Sequence, residues 1–149
     1  MRKLAVASLI VALGLSSCTS GSRTGPATTD KATFCNLLLA YRASNDTLIT
    51  DINSGDTARA KSAMTRLVGQ AQTLQKRAPA DIKADVDAAA AFVVSFDALL
   101  ARNGYDVKKI ETDPKSTEEF AALNSEASNA SRDQLRAYGD SDCGGSSAP

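Results

Sequence analysis

Among 149 residues the side chains able to do chemistry are few, and their spacing excludes most of it. There is no His and no Trp, which removes the commonest general base, the commonest nitrogen ligand for metals and the best stacking platform for bases. Serines and threonines abound, yet no GxSxG elbow presents one as a nucleophile. The segment Asp51 to Asp56, "DINSGD", sets Asp51 and Asn53 at the first and third positions of a calcium loop. It then fails, because Gly55 is fifth where the sixth is required and Ser62 stands where a bidentate Glu must be. A helix-to-helix junction explains it better. Asp81, Asp85 and Asp87 crowd the start of a helical segment, where negative charge complements the helix dipole. Without imidazole or convergent oxygens they read as a solvated face. "GDSDCGG" near the C-terminus lacks the strand and helix of a phosphate loop. No catalytic residue, metal or cofactor is expected.

One polar residue calls for more explanation. Asn45 takes the seam position between Tyr41 and Leu48 in an otherwise apolar stripe. A buried amide must be satisfied, and a single polar seam residue that fixes register against a neighbouring helix is the first reading. The second is a small ligand pocket bordered by Tyr41, Asn45 and Asp97, the last flanking Phe96 on another helix, since bundle cores do host ligands.

Location is more legible than chemistry. Arg2 and Lys3 precede an apolar run, Leu4 to Leu15, of about 12 residues, the pattern of a signal peptide and too short to span a bilayer, which takes about 20. Directly after it come Leu15, Ser16, Ser17 and Cys18. This "LSSC" resembles the bacterial lipobox, an aliphatic residue and two small residues before a cysteine. The resemblance implies that residues 1–17 are cleaved and that Cys18 carries diacylglyceryl and usually a further acyl group such as palmitate. Two or three chains make a stable membrane anchor where one is marginal. Residues 18–29, broken by Gly21, Gly25 and Pro26, then read as a flexible tether. Basic and acidic residues balance at 17 each, and loss of Arg2 and Lys3 leaves a slightly acidic chain. Nucleic acid, which demands a clustered basic face, is not an expected partner.

Three cysteines leave an odd thiol in an exported protein. With Cys18 lipidated, as the lipobox resemblance implies, Cys35 and Cys143 remain, and in an oxidising compartment they are expected to pair.

These groups must be held by helices. From Asp30 onward apolar residues recur at three and four. A first helix is expected over Lys31 to Asn53 with Asp30 as cap, carrying Phe34, Leu38, Tyr41, Leu48 and Ile52 and stopping at Gly55. A second starts after Asp56 as N-cap and ends before Pro79, and a third runs from Ala80 to Arg102 with "NG" as its stop. A fourth begins at Ser116, where "STEE" forms a capping box with Glu119, and ends near Gly139. The connection Tyr105 to Lys115 reads as a loop with a short helical turn, its Val107 and Ile110 closing the core. Cys35 and Cys143 fall at one end only if the helix count is even, because a disulfide spans about 4.4 to 6.8 Å between alpha carbons. The expected fold is therefore all-α: an up-down-up-down four-helix bundle over residues 30–143, closed by a Cys35–Cys143 disulfide, with 144–149 as a disordered tail.

The whole arrangement, lipobox, tether, "FC" opening the first helix and "CG" after the last, resembles small helical lipoproteins of actinobacteria, many of them uncharacterised. It implies a domain anchored on the extracytoplasmic side of the cell membrane by acylated Cys18, non-catalytic, and engaging a protein or envelope component. The alternative is a carrier or sensor of a small apolar ligand held in the bundle.

Overall fold

A computed structural model describes residues 31–144. The expected signal peptide, the lipidation expected at Cys18, the expected tether and Asp30 cap, and the expected tail beyond Gly144 lie outside the described residues. Within them the chain is all-helical, with six helices: α1 (Lys31–Ser54), α2 (Thr57–Arg77), α3 (Lys83–Arg102), α4 (Val107–Thr112), α5 (Pro114–Leu123) and α6 (Glu126–Asp142).

The first three follow the three-four periodicity closely. Gly55 adopts a left-handed φ of 74° and turns the chain, after which the Asp56 carboxylate accepts from the Arg59 amide at 3.0 Å and starts α2. The same bond holds the Asp56 carboxyl below its ordinary range. These are the roles a helix junction requires, and they absorb the calcium-like segment. Lys76 and Arg77 close α2 with positive charge in its last turn, where the dipole favours it. Residues 80–82 form a turn, so α3 starts at Lys83, slightly later than its apolar pattern suggests.

Packing between α1, α2 and α3 builds two adjoining apolar clusters. One gathers Leu48, Met64, Leu67, Val93, Leu99 and Leu100, and Ile110 of α4 lies across it at 4 % exposure, closing the core as its spacing indicates. The other joins Phe34, Leu38, Leu74, Ile82, Val86 and Leu135 beside the disulfide. Small residues such as Ala60, Ala63, Ala71, Ala89 and Ala90 are buried among them and let the helices approach.

The second half departs from the expected single fourth helix. Asp113, not Ser116, caps α5: its carboxylate accepts from the Ser116 amide at 2.9 Å and Pro114 takes the first helical turn. A proline there loses no hydrogen bond that a helix start would make. Glu119 is drawn instead to Arg102, at 2.5 Å. The helix then stops at Asn124, whose backbone N–H and side-chain amide both donate to the Phe120 carbonyl, and restarts at Ser125, whose hydroxyl accepts from the Ser128 amide. Ala127 and Ala130, which continue the apolar spacing in sequence, are exposed.

Gly139 does not end the last helix, which runs on to Asp142. It is buried, and a Cβ placed on it would lie 2.8 Å from Arg42 Nη1 and 3.5 Å from Leu38 Cδ2. The residue is small because α6 meets α1 there. Around that crossing Lys31 pairs with Asp142 and Arg42 with Asp140, each at 2.7 Å, and Phe34 and Tyr138 pack edge-on at 5.8 Å. The lysine bond also holds the Asp142 carboxyl below its usual range. Cys35 and Cys143 are disulfide-bonded with alpha carbons 5.1 Å apart. Beyond the crossing α6 leans onto α3, so α1 and α6 part and leave a space between them.

Candidate functional site

That space is a cleft of about 730 Å³, within the range of small-molecule sites. Its floor is supplied by α3, where Phe92 and Phe96 stack with ring centres 5.8 Å apart. Phe120 of α5 continues the row, 5.6 Å from Phe96. Leu38, Leu48, Leu67, Ala89, Val93 and Leu135 add to the apolar lining. The break at Asn124 shapes this wall, because it lets α5 bring Phe120 over the end of α3 while α6 takes a new direction.

Polar groups stand at the rim. Arg132 of α6 lays its guanidinium carbon 4.0 Å from the centre of the Phe92 ring, a cation–π contact. Its Nη2 donates to the side-chain oxygens of Asn124, at 2.9 Å, and of Asn129. Both partners are neutral amides; no carboxylate pairs with Arg132 among the described residues. The neighbouring charges are otherwise engaged or exposed: Arg42 with Asp140, Arg136 with Asp133 at 3.5 Å, and Asp46 and Glu111 facing solvent.

The sequence-predicted pocket residues divide. Tyr41 and Asn45 both line the cleft, half-buried on α1. Burial pushes the Tyr41 hydroxyl up to about 12, against the opposing pull of the Arg132 charge. Asp97 is not part of the lining. It accepts from the Tyr105 hydroxyl at 3.0 Å and thereby helps hold Tyr105, whose φ of 59° is the one left-handed non-glycine backbone among the described residues. The bond from Tyr105 turns the Asp97 side chain to the α3–α4 connection and away from the cleft, although Phe96 beside it lines that space.

The register bond expected of Asn45 is not what the structure shows: its side chain makes no hydrogen bond among the described residues. Tyr41 makes none either. Gln70 Oε1 is the single fully buried side-chain polar atom without a partner among those residues, so the Asn45 amide, the Tyr41 hydroxyl and the unused donors of Arg132 all retain solvent contact. Arg132 and Phe120 are the site residues that sequence reasoning missed. The only signal for Arg132 was that no acidic residue stands three or four positions from it in the sequence; its immediate neighbour Asp133 borders the cleft too and pairs with Arg136.

The other candidates resolve into structural roles. Asp87 is bonded to Lys83 at 2.5 Å, as a solvated i,i+4 pair. No group of three or more His, Cys, Asp or Glu is placed to hold a metal ion among the described residues. None of the described helices is long and apolar enough to cross a membrane. Comparison with protein-family models, with curated proteins and with solved structures finds no match.

Proposed function

We propose that this chain is a lipid-anchored protein of the extracytoplasmic face of the cell membrane whose non-catalytic helical domain holds an apolar envelope component in the cleft between α1 and α6. The observation that carries the reading is the cleft itself: an aromatic floor with unbonded polar groups at its rim, on a domain whose sequence begins with a lipobox-like "LSSC". An apolar occupant gains about 25 cal/mol for each Å² of surface withdrawn from water. A tether of a dozen residues leaves the domain close enough to the bilayer to exchange with it. The four-helix up-down-up-down course belongs to this reading, with α1, α2, α3 and α6 as the long helices and α4 and α5 as an elaborated crossing between the third and fourth.

The test is chemical crosslinking in intact membranes, recovery of the chain in detergent and mass spectrometry of the peptides. An apolar small molecule joined to peptides of α1 and α6 is the expected result. A chain recovered with nothing in the cleft, or occupied only on other faces, defeats the reading. The anchor is tested separately: Cys18→Ser abolishes acyl labelling and membrane retention, and unchanged retention refutes the lipoprotein assignment.

A second reading has its own observation. Ile49 is 50 % exposed and Phe120 39 % exposed, and both line the cleft. Such a pair suits the apolar face of an amphipathic helix from a protein partner. Reproducible crosslinks from these two positions to one protein would favour it.

A further inference from the structure

We infer that the occupant of the cleft is an anionic single-chain amphiphile of the fatty-acid class, its carboxylate bound by Arg132 and its chain lying along Phe92, Phe96 and Phe120. The inference rests on the cleft being a binding site, and it adds the chemistry of what binds.

The case is one of charge complementarity. A guanidinium carries five N–H donors in a fixed fork. In Arg132 only Nη2 is used, on two neutral amides, so Nε and Nη1 are without partners among the described residues. The charge is half-buried against an aromatic face, where screening by salt is weaker than on an exposed surface. A half-buried cation is most stable when paired, and no carboxylate among the described residues forms an ion pair with Arg132. Asp133, the next residue, also borders the cleft but is exposed and paired with Arg136 at 3.5 Å, and Asp46 and Glu111 are exposed at the rim. A planar carboxylate matches the free edge of the fork bidentately.

Two further polar groups border the same cleft. The Tyr41 hydroxyl feels the Arg132 charge and, being held protonated far above neutral pH, is a donor at physiological pH. The Asn45 amide offers two more N–H donors from the same face of α1, one helical turn on. Below them the row of Phe92, Phe96 and Phe120 is continuous, with successive ring centres under 6 Å apart, and presents an uninterrupted apolar track for a chain. The cleft volume of about 730 Å³ accommodates one such chain.

The experiment uses the full chain in its membrane. Two photoreactive probes with the same twelve-carbon diazirine tail, one ending in a carboxylate and one in an alcohol, are added to membranes carrying the wild type or Arg132→Gln, and labelled peptides are quantified. Dividing the carboxylate-to-alcohol ratio of the wild type by that of the variant cancels their different partition into the bilayer. Losing a charge-assisted pair is expected to lower the variant's carboxylate-to-alcohol ratio, so that this quotient is about ten or more. Arg132→Lys, which keeps the charge and loses the fork, is expected to fall between, and an unchanged thermal transition in both variants shows that the fold is intact. Cleft peptides labelled equally by acid and alcohol in wild type and variant would overturn the inference and leave cleft binding standing. Absence of label from α1 and α6 with either probe would overturn both.

Discussion

Removing the Cys35–Cys143 bridge tests how much of this fold is held by its core. The bond joins residues 108 apart in sequence. If its main effect is to restrict the unfolded chain, the loop-closure entropy of a loop that long amounts to about 16 cal/mol/K, or about 4.8 kcal/mol at 25 °C. A domain of this size shifts its midpoint by about 4 °C per kcal/mol, so Cys35→Ala with Cys143→Ala is expected to melt roughly 20 °C below the wild type. Alanine avoids placing a hydroxyl at Cys35, which is 7 % exposed among apolar neighbours. The assay is circular dichroism at 222 nm against temperature, with a urea titration alongside. Because the uncrosslinked chain expands further on unfolding, its urea slope should rise. A midpoint lowered by less than about 5 °C with an unchanged slope would refute the reasoning, since it would mean that the unfolded chain is held compact by something other than the bridge.

Other outcomes follow from single contacts. Phe34→Ala, at a side chain with no exposure packed edge-on to Tyr138, should cost about 3–5 kcal/mol in urea denaturation. Gly139→Ala is expected to change stability by less than about 1 kcal/mol, because the long Arg42 side chain can withdraw and alanine favours the helix; Gly139→Leu, pressing on Leu38 as well, should destabilise by more than about 2 kcal/mol. Tyr41 gives a pH signature: its folded value, about 12, lies above its ordinary value of 10.0, so its contribution is complete below pH 10 and is lost as pH rises towards 12. Tyr41→Phe should flatten the decline in melting temperature across that window and remove the last ultraviolet-detected phenolate step.

Much of the scaffold was legible from local rules. Gly55, Asp56 and the "NG" at Asn103 act as stop, cap and stop because those roles depend on backbone conformation within a few residues. Tyr41 and Asn45 were found because an amide and a phenol interrupt an apolar seam. The fourth helix was misread for the converse reason. Its spacing continues unbroken from Phe120 through Ala127, and alanine is neutral enough to sit inside or outside; "NS" at Asn124 and Ser125 carried the break, and only competing cap bonds give it effect. The last helix runs three residues past Gly139, and the part that this glycine plays in seating α6 on α1 depends on a neighbour about a hundred residues away in sequence. Asp97 flanks Phe96 in sequence, but its partner Tyr105, which keeps it out of the cleft lining, is found only in the fold.

By itself the amino-acid sequence determined the helical class, the first three helices and the Cys35–Cys143 pairing. Those properties are set by residue identity and by periods of three and four, which are local. Only the tertiary structure decided that α6 crosses α1 at Gly139 and leans onto α3, that Phe92, Phe96 and Phe120 form one track, and that Arg132 lies against Phe92 with two amides as its partners. Each of these depends on the angle between helices distant in sequence, which is chosen by how their side chains pack and is not written in any one of them.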